Sequence, residues 1–229
     1  LILWLTGTLT PLSFFAVAVL GMLLNAVLLS VGVGQRYALV LDRGLLKAEF
    51  AYGGILWLGA VFSFLHLRAD QFMIKQMLDV GLLGVYSVAV TLSELLFLVP
   101  VSVSSALLGK LYNTSEPGAA RSIMARTLKL TFYICAVLAL AGIPLSLLIP
   151  VIYGKAYAGA VTSVMVLLGG AVFASVARVG MQYFFTQGRP KVHLYTTLAT
   201  LIVNVALNFL LIPRWGIFGA AFASSISYL

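Results

Sequence analysis

Apolar runs of about 20 residues recur along the whole chain, separated only by short polar breaks, and that pattern constrains the fold more than any other feature. A run of this length matches the hydrocarbon thickness of a bilayer when wound as a helix. Only helices and closed barrels satisfy every backbone group inside lipid. Barrel strands alternate apolar and polar residues, whereas these runs are continuous. The expected fold class is therefore all-α, a polytopic transmembrane helix bundle. Composition agrees: 62% of the residues are hydrophobic and 9% are charged, against roughly 25% charged in soluble domains.

Proline, glycine and charge clusters divide the chain. Leu1–Thr10 reads as a helix tail closed by Pro11, and Leu12–Gly34 as a full span. Gln35–Lys47 is a polar break. Ala48–Leu67 is the next span, and it runs into the charged stretch Arg68–Asp79. Leu82–Leu108 carries Glu94 and Pro100. Gly109–Arg126 reads as a polar loop with a turn at Glu116-Pro117-Gly118. Spans follow at Thr127–Ile149, Ala160–Phe185 and Val192–Ile212, and Gly216 opens a last, short one. That makes about seven spans plus the tail. The non-methionine start and the short last run suggest a fragment.

Basic residues alternate between connections. The first, third and fifth carry Arg36, Arg43 and Lys47, then Lys110, Arg121, Arg126 and Lys129, then Arg189 and Lys191. The second, fourth and sixth carry only Arg68 and Lys75, Lys155, and Arg214. Nine against four places the odd set in the cytoplasm by the positive-inside rule. The net charge of +8 is thus a topology signal and calls for no nucleic acid.

Polar residues at membrane depth face protein or a water-filled cavity, and four sets stand out. His66, Arg68, Asp70, Lys75 and Asp79 continue the second full span. They line a hydrophilic cavity, or else the helix has left the bilayer there. Glu94 stands alone in its span. Hydrocarbon favours a neutral carboxyl, which suits a proton carrier; the alternative is a structural pair with a basic residue. Arg178, Gln182 and Thr186 form an i, i+4, i+8 stripe. An arginine there fits an anionic substrate, because its planar fork matches phosphate; the alternative is neutralising Glu94 or Asp70. Thr196, Thr200, Asn204 and Asn208 form another stripe, read chiefly as helix-packing glue. Gly216, Ala220 and Ser224, with Gly219, Ala223 and Ser227, repeat at small-xxx-small spacing, read as packing alone.

Signals for catalysis are missing. His66 and His193 are far apart in sequence, and His193 reads as a turn residue beside Lys191. The chain carries no HExxH or GxxxxGK[ST] pattern. Cys135 is single and mid-span, a small buried residue. No cofactor and no metal are expected.

Several stretches carry a family resemblance. Residues from Arg68 onward read RADQFMIKQMLDVGLLGVYSVA, a charged helix end followed by a GxYxxA start that includes Tyr86 and Ala89. IPVIYGKAYAGA begins at Ile149, and QGRP at Gln187. NVALNFLLIPRWGIFGAAFASSIS occupies Asn204–Ser227. In this order they resemble the oligosaccharide flippases of the multidrug/oligosaccharidyl-lipid/polysaccharide exporter superfamily. The resemblance implies two lobes of six helices around a central cavity, in a transporter of 12 or more helices. Residues 1–34 would be the tail of the first lobe, 35–47 a cytoplasmic linker, and 48–229 the second lobe with its last helix truncated. It implies a multi-pass protein of the cell (plasma) membrane that moves a polyprenyl-diphosphate-linked oligosaccharide outward for cell-surface polysaccharide synthesis. The drive would be an ion gradient and the mode alternating access. Lipid and the polysaccharide polymerase machinery are the implied partners. On this reading Arg68, Arg178, Gln182 and Thr186 contact substrate, and Asp70 and Glu94 couple the ion. The alternatives are a multidrug or cation antiporter of the same superfamily and a membrane glycan polymerase or ligase. The latter is disfavoured by short outer connections, since catalytic residues usually sit on loops.

Overall fold

A computed structural model describes residues 10–33, 42–114 and 116–229. Most of the Leu1–Thr10 tail and of the Gln35–Lys47 break lies outside them. The chain forms two compact units, divided between Leu46 and Lys47. In the first, helix α1 (Pro11–Val33) starts at a proline and carries no charge, and its apolar side chains are exposed throughout. Such a surface suits lipid.

The second unit holds the remaining helices, apart from the first residues of α2 (Arg43–Met77), and local chemistry sets several helix boundaries. Asp42 caps α2 by accepting from the Gly44 amide at 2.7 Å. Asp79 caps α3 (Val80–Glu94) by accepting from the Leu82 amide at 2.9 Å. A side-chain oxygen at this position satisfies an amide that has no partner within its own helix. A 3₁₀ turn, Leu95–Phe97, joins α3 to α4 (Leu98–Tyr112). Pro100 lacks the N–H that a regular helix would direct to Leu96, which accounts for the break. Helix α5 (Pro117–Ser146) and helix α8 (Pro190–Ser227) both begin with proline at the first position, where no N–H is needed. Between them lie the short α6 (Ile149–Ile152), a 3₁₀ turn at Lys155–Tyr157, and α7 (Ala160–Thr186).

Helix α8 contains a reversal. Gly216 has φ 56° and ψ −137°, a conformation that glycine alone adopts freely. Asn204 in the first arm then reaches Ser224 and Ser227 in the second, 20 and 23 residues on. The arms 190–215 and 217–227 are therefore an antiparallel hairpin. Six helices among the described residues are long and apolar enough to cross a membrane, the sixth being this bent one.

Helix α7 is the hub. Its buried positions run from Ala160 to Val179, and it packs against α3, α4, α5 and α8. Its buried positions include Ser163, Gly170, Ala171, Ala174 and Ser175. Small residues let helices approach closely where no hydrophobic drive exists between them and lipid. Helix α2 is the opposite case: only Gly59, Asp70 and Ile74 are buried along its length.

One expectation needs correction. The polar loop Gly109–Arg126 is mostly helical: α4 continues to Tyr112 and α5 starts at Pro117, so Arg121 and Arg126 lie on α5. Pro117 opens a helix there and does not sit in a turn. The charged stretch after Leu67 continues the span as expected, and α2 runs unbroken to Met77. Asp79 lies just past α2 and caps α3, and Lys75 is exposed in the last turn of α2.

Candidate functional site

A cavity of about 590 Å³ lies between four helices, and each wall is a stripe at i, i+3/i+4 spacing. Helix α7 contributes Ala174, Ala177, Arg178, Met181, Gln182 and Phe185. Helix α8 contributes His193, Thr196, Thr197 and Thr200. Pro100, Val101, Ser104, Ser105 and Leu108 come from α4, and Ser63, His66 and Leu67 from α2. Ser227 and Tyr228 complete the lining. Leu108 lies in the last two turns of α4, and Phe185 and His193 flank the 187–189 turn. The cavity thus extends toward the end of the bundle that the charge pattern places in the cytoplasm.

The lining has a clear electrostatic character. Its one permanent charge is Arg178, and no Asp or Glu lines it. The Arg178 guanidinium lies 3.9 Å from the centroid of the Phe97 ring. A desolvated cation–π contact of this kind contributes about 2 kcal/mol. The fork's N–H groups make no hydrogen bond or ion pair with any described residue, so they stay available to an acceptor. Phe185 and His193 meet edge-on, with ring centroids 5.3 Å apart.

Behind the cavity a buried hydrogen-bond network converges on Asp70, which is 3% exposed. The Tyr86 hydroxyl donates to Asp70 Oδ2 at 2.5 Å, and the Ser224 hydroxyl donates to the same oxygen at 3.0 Å. Oδ1 accepts from the Gln71 amide at 2.7 Å. Asn204 Nδ2 donates to Ser224 Oγ and to Ser227 Oγ, each at 3.2 Å. Asn208 Nδ2 donates to Asn204 Oδ1 at 2.9 Å. The Ser227 hydroxyl donates to the Ser224 carbonyl, so His66 Nε2, 2.8 Å away, is the donor in their contact. Every bond at Asp70 points inward, the pattern an acceptor-only carboxylate requires. The network ties α2 to α3 and to both arms of α8.

A second polar contact joins α2 to α3. Arg68 and Glu94 form an ion pair at 3.0 Å, with side chains 33% and 27% exposed. Asp70 and Glu94 also line a common void of about 10 Å³ beside Tyr228.

Of the residues singled out from sequence, the structure brings Arg178 and Gln182 into the cavity wall. Thr186 sits at the end of α7, donates to the Tyr183 carbonyl at 2.9 Å, and lies outside the lining. Arg68 is held by Glu94, also outside it. Glu94 thus has a basic partner, and that partner is Arg68; Arg178 stacks on Phe97 instead. Asp70 is a buried hub whose side-chain partners are hydroxyls.

Other residues in the site were not legible as such. His193 belongs to the first turn of α8 and faces the cavity, because that helix begins at Pro190. Ser224 and Ser227, read as packing residues, carry hydrogen bonds of the Asp70 network. Tyr86 is fully buried, and its hydroxyl is the closest donor to Asp70. Its place in the GxYxxA pattern was the one signal available.

The family model described as MatE matches residues 59–210, more than half of the chain. The chain is 23% identical over 182 residues to the "Putative O-antigen transporter" of Shigella flexneri, covering 79% of this chain and 44% of that protein. It is 27% identical over 181 residues to "Probable flippase AglR" of Haloferax volcanii, covering 75% and 37%. Among solved structures it resembles an outward-facing multidrug resistance MATE family transporter of the MOP superfamily, with TM-score 0.65 and 20% identity. It also resembles a MOP superfamily transporter from Pyrococcus furiosus, with TM-score 0.64 and 20% identity. Each covers 76% of this chain and 40% of the other. At that identity the structural likeness speaks to fold. The chain spans less than half the length of the relatives it matches.

Proposed function

This chain belongs to the MatE family of multi-pass membrane transporters, and from that premise we propose that it supplies one lobe of a flippase for polyprenyl-diphosphate-linked oligosaccharides. The observation that carries the proposal is the chemistry of the cavity: Arg178 is its permanent charge, its other polar groups are hydroxyls, an amide and imidazoles, and no carboxylate lines it. A cavity for organic cations needs acids in its wall. A diphosphate joined to a glycan needs a cation, neutral donors and many small polar groups, which this wall offers. The names of the two curated relatives support the same reading.

Chemistry gives each residue a role. A diphosphate cannot enter hydrocarbon unpaired, because burying an isolated charge is prohibitive. Arg178 receives phosphate oxygens with its free fork, and Gln182, one turn on, donates its amide. The lipid tail stays in the bilayer while the head crosses between lobes, which rock to expose the cavity to either side. Asp70 and Glu94 are the acids assigned to proton coupling. Arg68 orients Glu94 through their ion pair, and Thr186 closes the end of α7. Nothing in this scheme is catalytic.

The test uses the full-length protein in proteoliposomes. Labelled polyprenyl-diphosphate oligosaccharide should cross the bilayer when a pH gradient is imposed, and Arg178→Ala should abolish the flux. Gradient-driven exchange of a cationic dye without lipid flux would establish the antiporter reading instead.

A further inference from the structure

The threonine hydroxyls of the cavity are not interchangeable donors and acceptors, because the helix backbone has already claimed their protons. Thr196 donates its hydroxyl to the Val192 carbonyl at 2.8 Å, Thr197 to the His193 carbonyl at 2.8 Å, and Thr200 to the Thr197 carbonyl at 3.0 Å. On α4, Ser105 donates to the Val101 carbonyl at 3.0 Å. A hydroxyl has one proton and two lone pairs. Once the proton is committed inside the helix, only the oxygen's acceptor capacity faces the cavity. Thr196, Thr197 and Thr200 share one face of α8 by their spacing. The opposite chemistry runs along α7, where Arg178 has donors only and Gln182 adds an amide.

We propose that the cavity is polarised, with a donor strip on α7 and an acceptor strip of Thr196, Thr197 and Thr200 on α8, and that the acceptor strip is the glycan-recognising subsite. This rests on the flippase reading and adds an orientation to it. A diphosphate only accepts hydrogen bonds, so it finds partners on α7 and none on the threonine strip. Sugar hydroxyls and acetamido N–H groups donate, so they find partners on α8. The head group therefore lies across the cavity with its phosphates toward α7 and its sugar toward α8. The three threonines set the preference for a glycosylated lipid over the bare lipid diphosphate.

The experiment measures binding of two probes to the full-length protein in detergent: a polyprenyl diphosphate bearing one N-acetylhexosamine, and the same lipid diphosphate without sugar. The wild type should bind the glycosylated probe more tightly. The variant T196V/T197V/T200V is nearly isosteric and removes the acceptors. It should weaken the glycosylated probe by on the order of tenfold, as expected for losing one or two ordinary hydrogen bonds, and leave the bare diphosphate unchanged. The variant T196S/T197S/T200S keeps the oxygens and should keep the preference. A valine variant that retains the sugar preference overturns the inference and leaves the flippase reading standing. An equal loss for both probes also overturns it, since the strip would then not be sugar-specific. A wild type that binds neither probe but binds a lipophilic cation removes the flippase reading, and this inference with it.

Discussion

Two adjacent glycines on α7 offer a sharp test of how this bundle is held together. An ideal Cβ on Gly170 would lie 2.6 Å from Ser225 Cα and 2.8 Å from Ser225 Cβ and Oγ. Ordinary carbon contacts lie near 3.5–4.0 Å, so α7 and the 217–227 arm would have to separate by about 1 Å. Backbone cannot yield as a flexible side chain can, and overpacking of this kind costs about 1–3 kcal/mol. The Ser225 hydroxyl also donates to the Val166 carbonyl at 2.8 Å across the same interface, and losing that bond adds about 1 kcal/mol. Helix propensity works the other way by about 1 kcal/mol. Gly170→Ala should therefore destabilise by roughly 1–3 kcal/mol. A Cβ on Gly169 meets nothing within 4 Å, so Gly169→Ala keeps only the propensity gain and should stabilise by up to about 1 kcal/mol. Unfolding of the purified full-length protein in mixed micelles, followed by intrinsic fluorescence, resolves a difference of that size. If the two alanine variants are equally stable, the close approach of α7 to the hairpin is wrong.

Tyr86→Phe removes the shortest donor to Asp70 and should cost about 1.5–3 kcal/mol, the range for a hydrogen bond to a charged group, in the same unfolding assay. In flux assays Arg178→Lys should weaken transport and Arg178→Ala abolish it, since a lysine keeps the charge without the planar fork. Adding Glu94→Gln should not rescue Arg178→Ala, because Glu94 is paired with Arg68; rescue would make Arg178 a counter-ion only. Single cysteines at Asn113 and Lys155, in a Cys135→Ser background, should label from opposite sides of the membrane, the first from the cytoplasm. Labelling from one side would refute the charge-derived orientation.

The spans were legible because their signals are local. Apolar run length and proline or glycine at the ends set them, and the structure moves their ends by up to ten residues where helices project beyond the apolar run, as at Met77 and Pro117. Gly216 was readable as the start of a new span, and its positive φ gives the physical reason. Within the site, the Arg178–Gln182 stripe was readable because i,i+4 spacing lies within one helix. What brings Asp70 to Ser224 lies 154 residues away in sequence, and no periodicity reports that. Tyr86 was hidden for a different reason, since a tyrosine reads as apolar until something buried needs its hydroxyl. Likewise, the choice of Arg68 over Arg178 as the partner of Glu94 is decided by how α2, α3 and α7 are rotated about their axes, which composition leaves open.

These contacts bear on how such a lobe can move. Helix α7 is held by close packing along its length, and packing of that density does not deform gradually. Helix α2 buries few residues and is joined to its neighbours by specific polar bonds: His66 to Ser227, Arg68 to Glu94, and Asp70 to Tyr86 and Ser224. Such bonds are directional, and all but the His66–Ser227 bond depend on a carboxylate keeping its charge. Protonating Asp70 would set its new O–H against two hydroxyls that already donate to it, and protonating Glu94 would remove the charge that holds Arg68. A proton arriving at either acid therefore weakens the attachment of α2 while leaving the α7 core intact. Under the proposed proton coupling, the acids assigned to the ion would also be those that fasten a wall of the cavity, through Ser63, His66 and Leu67 on α2.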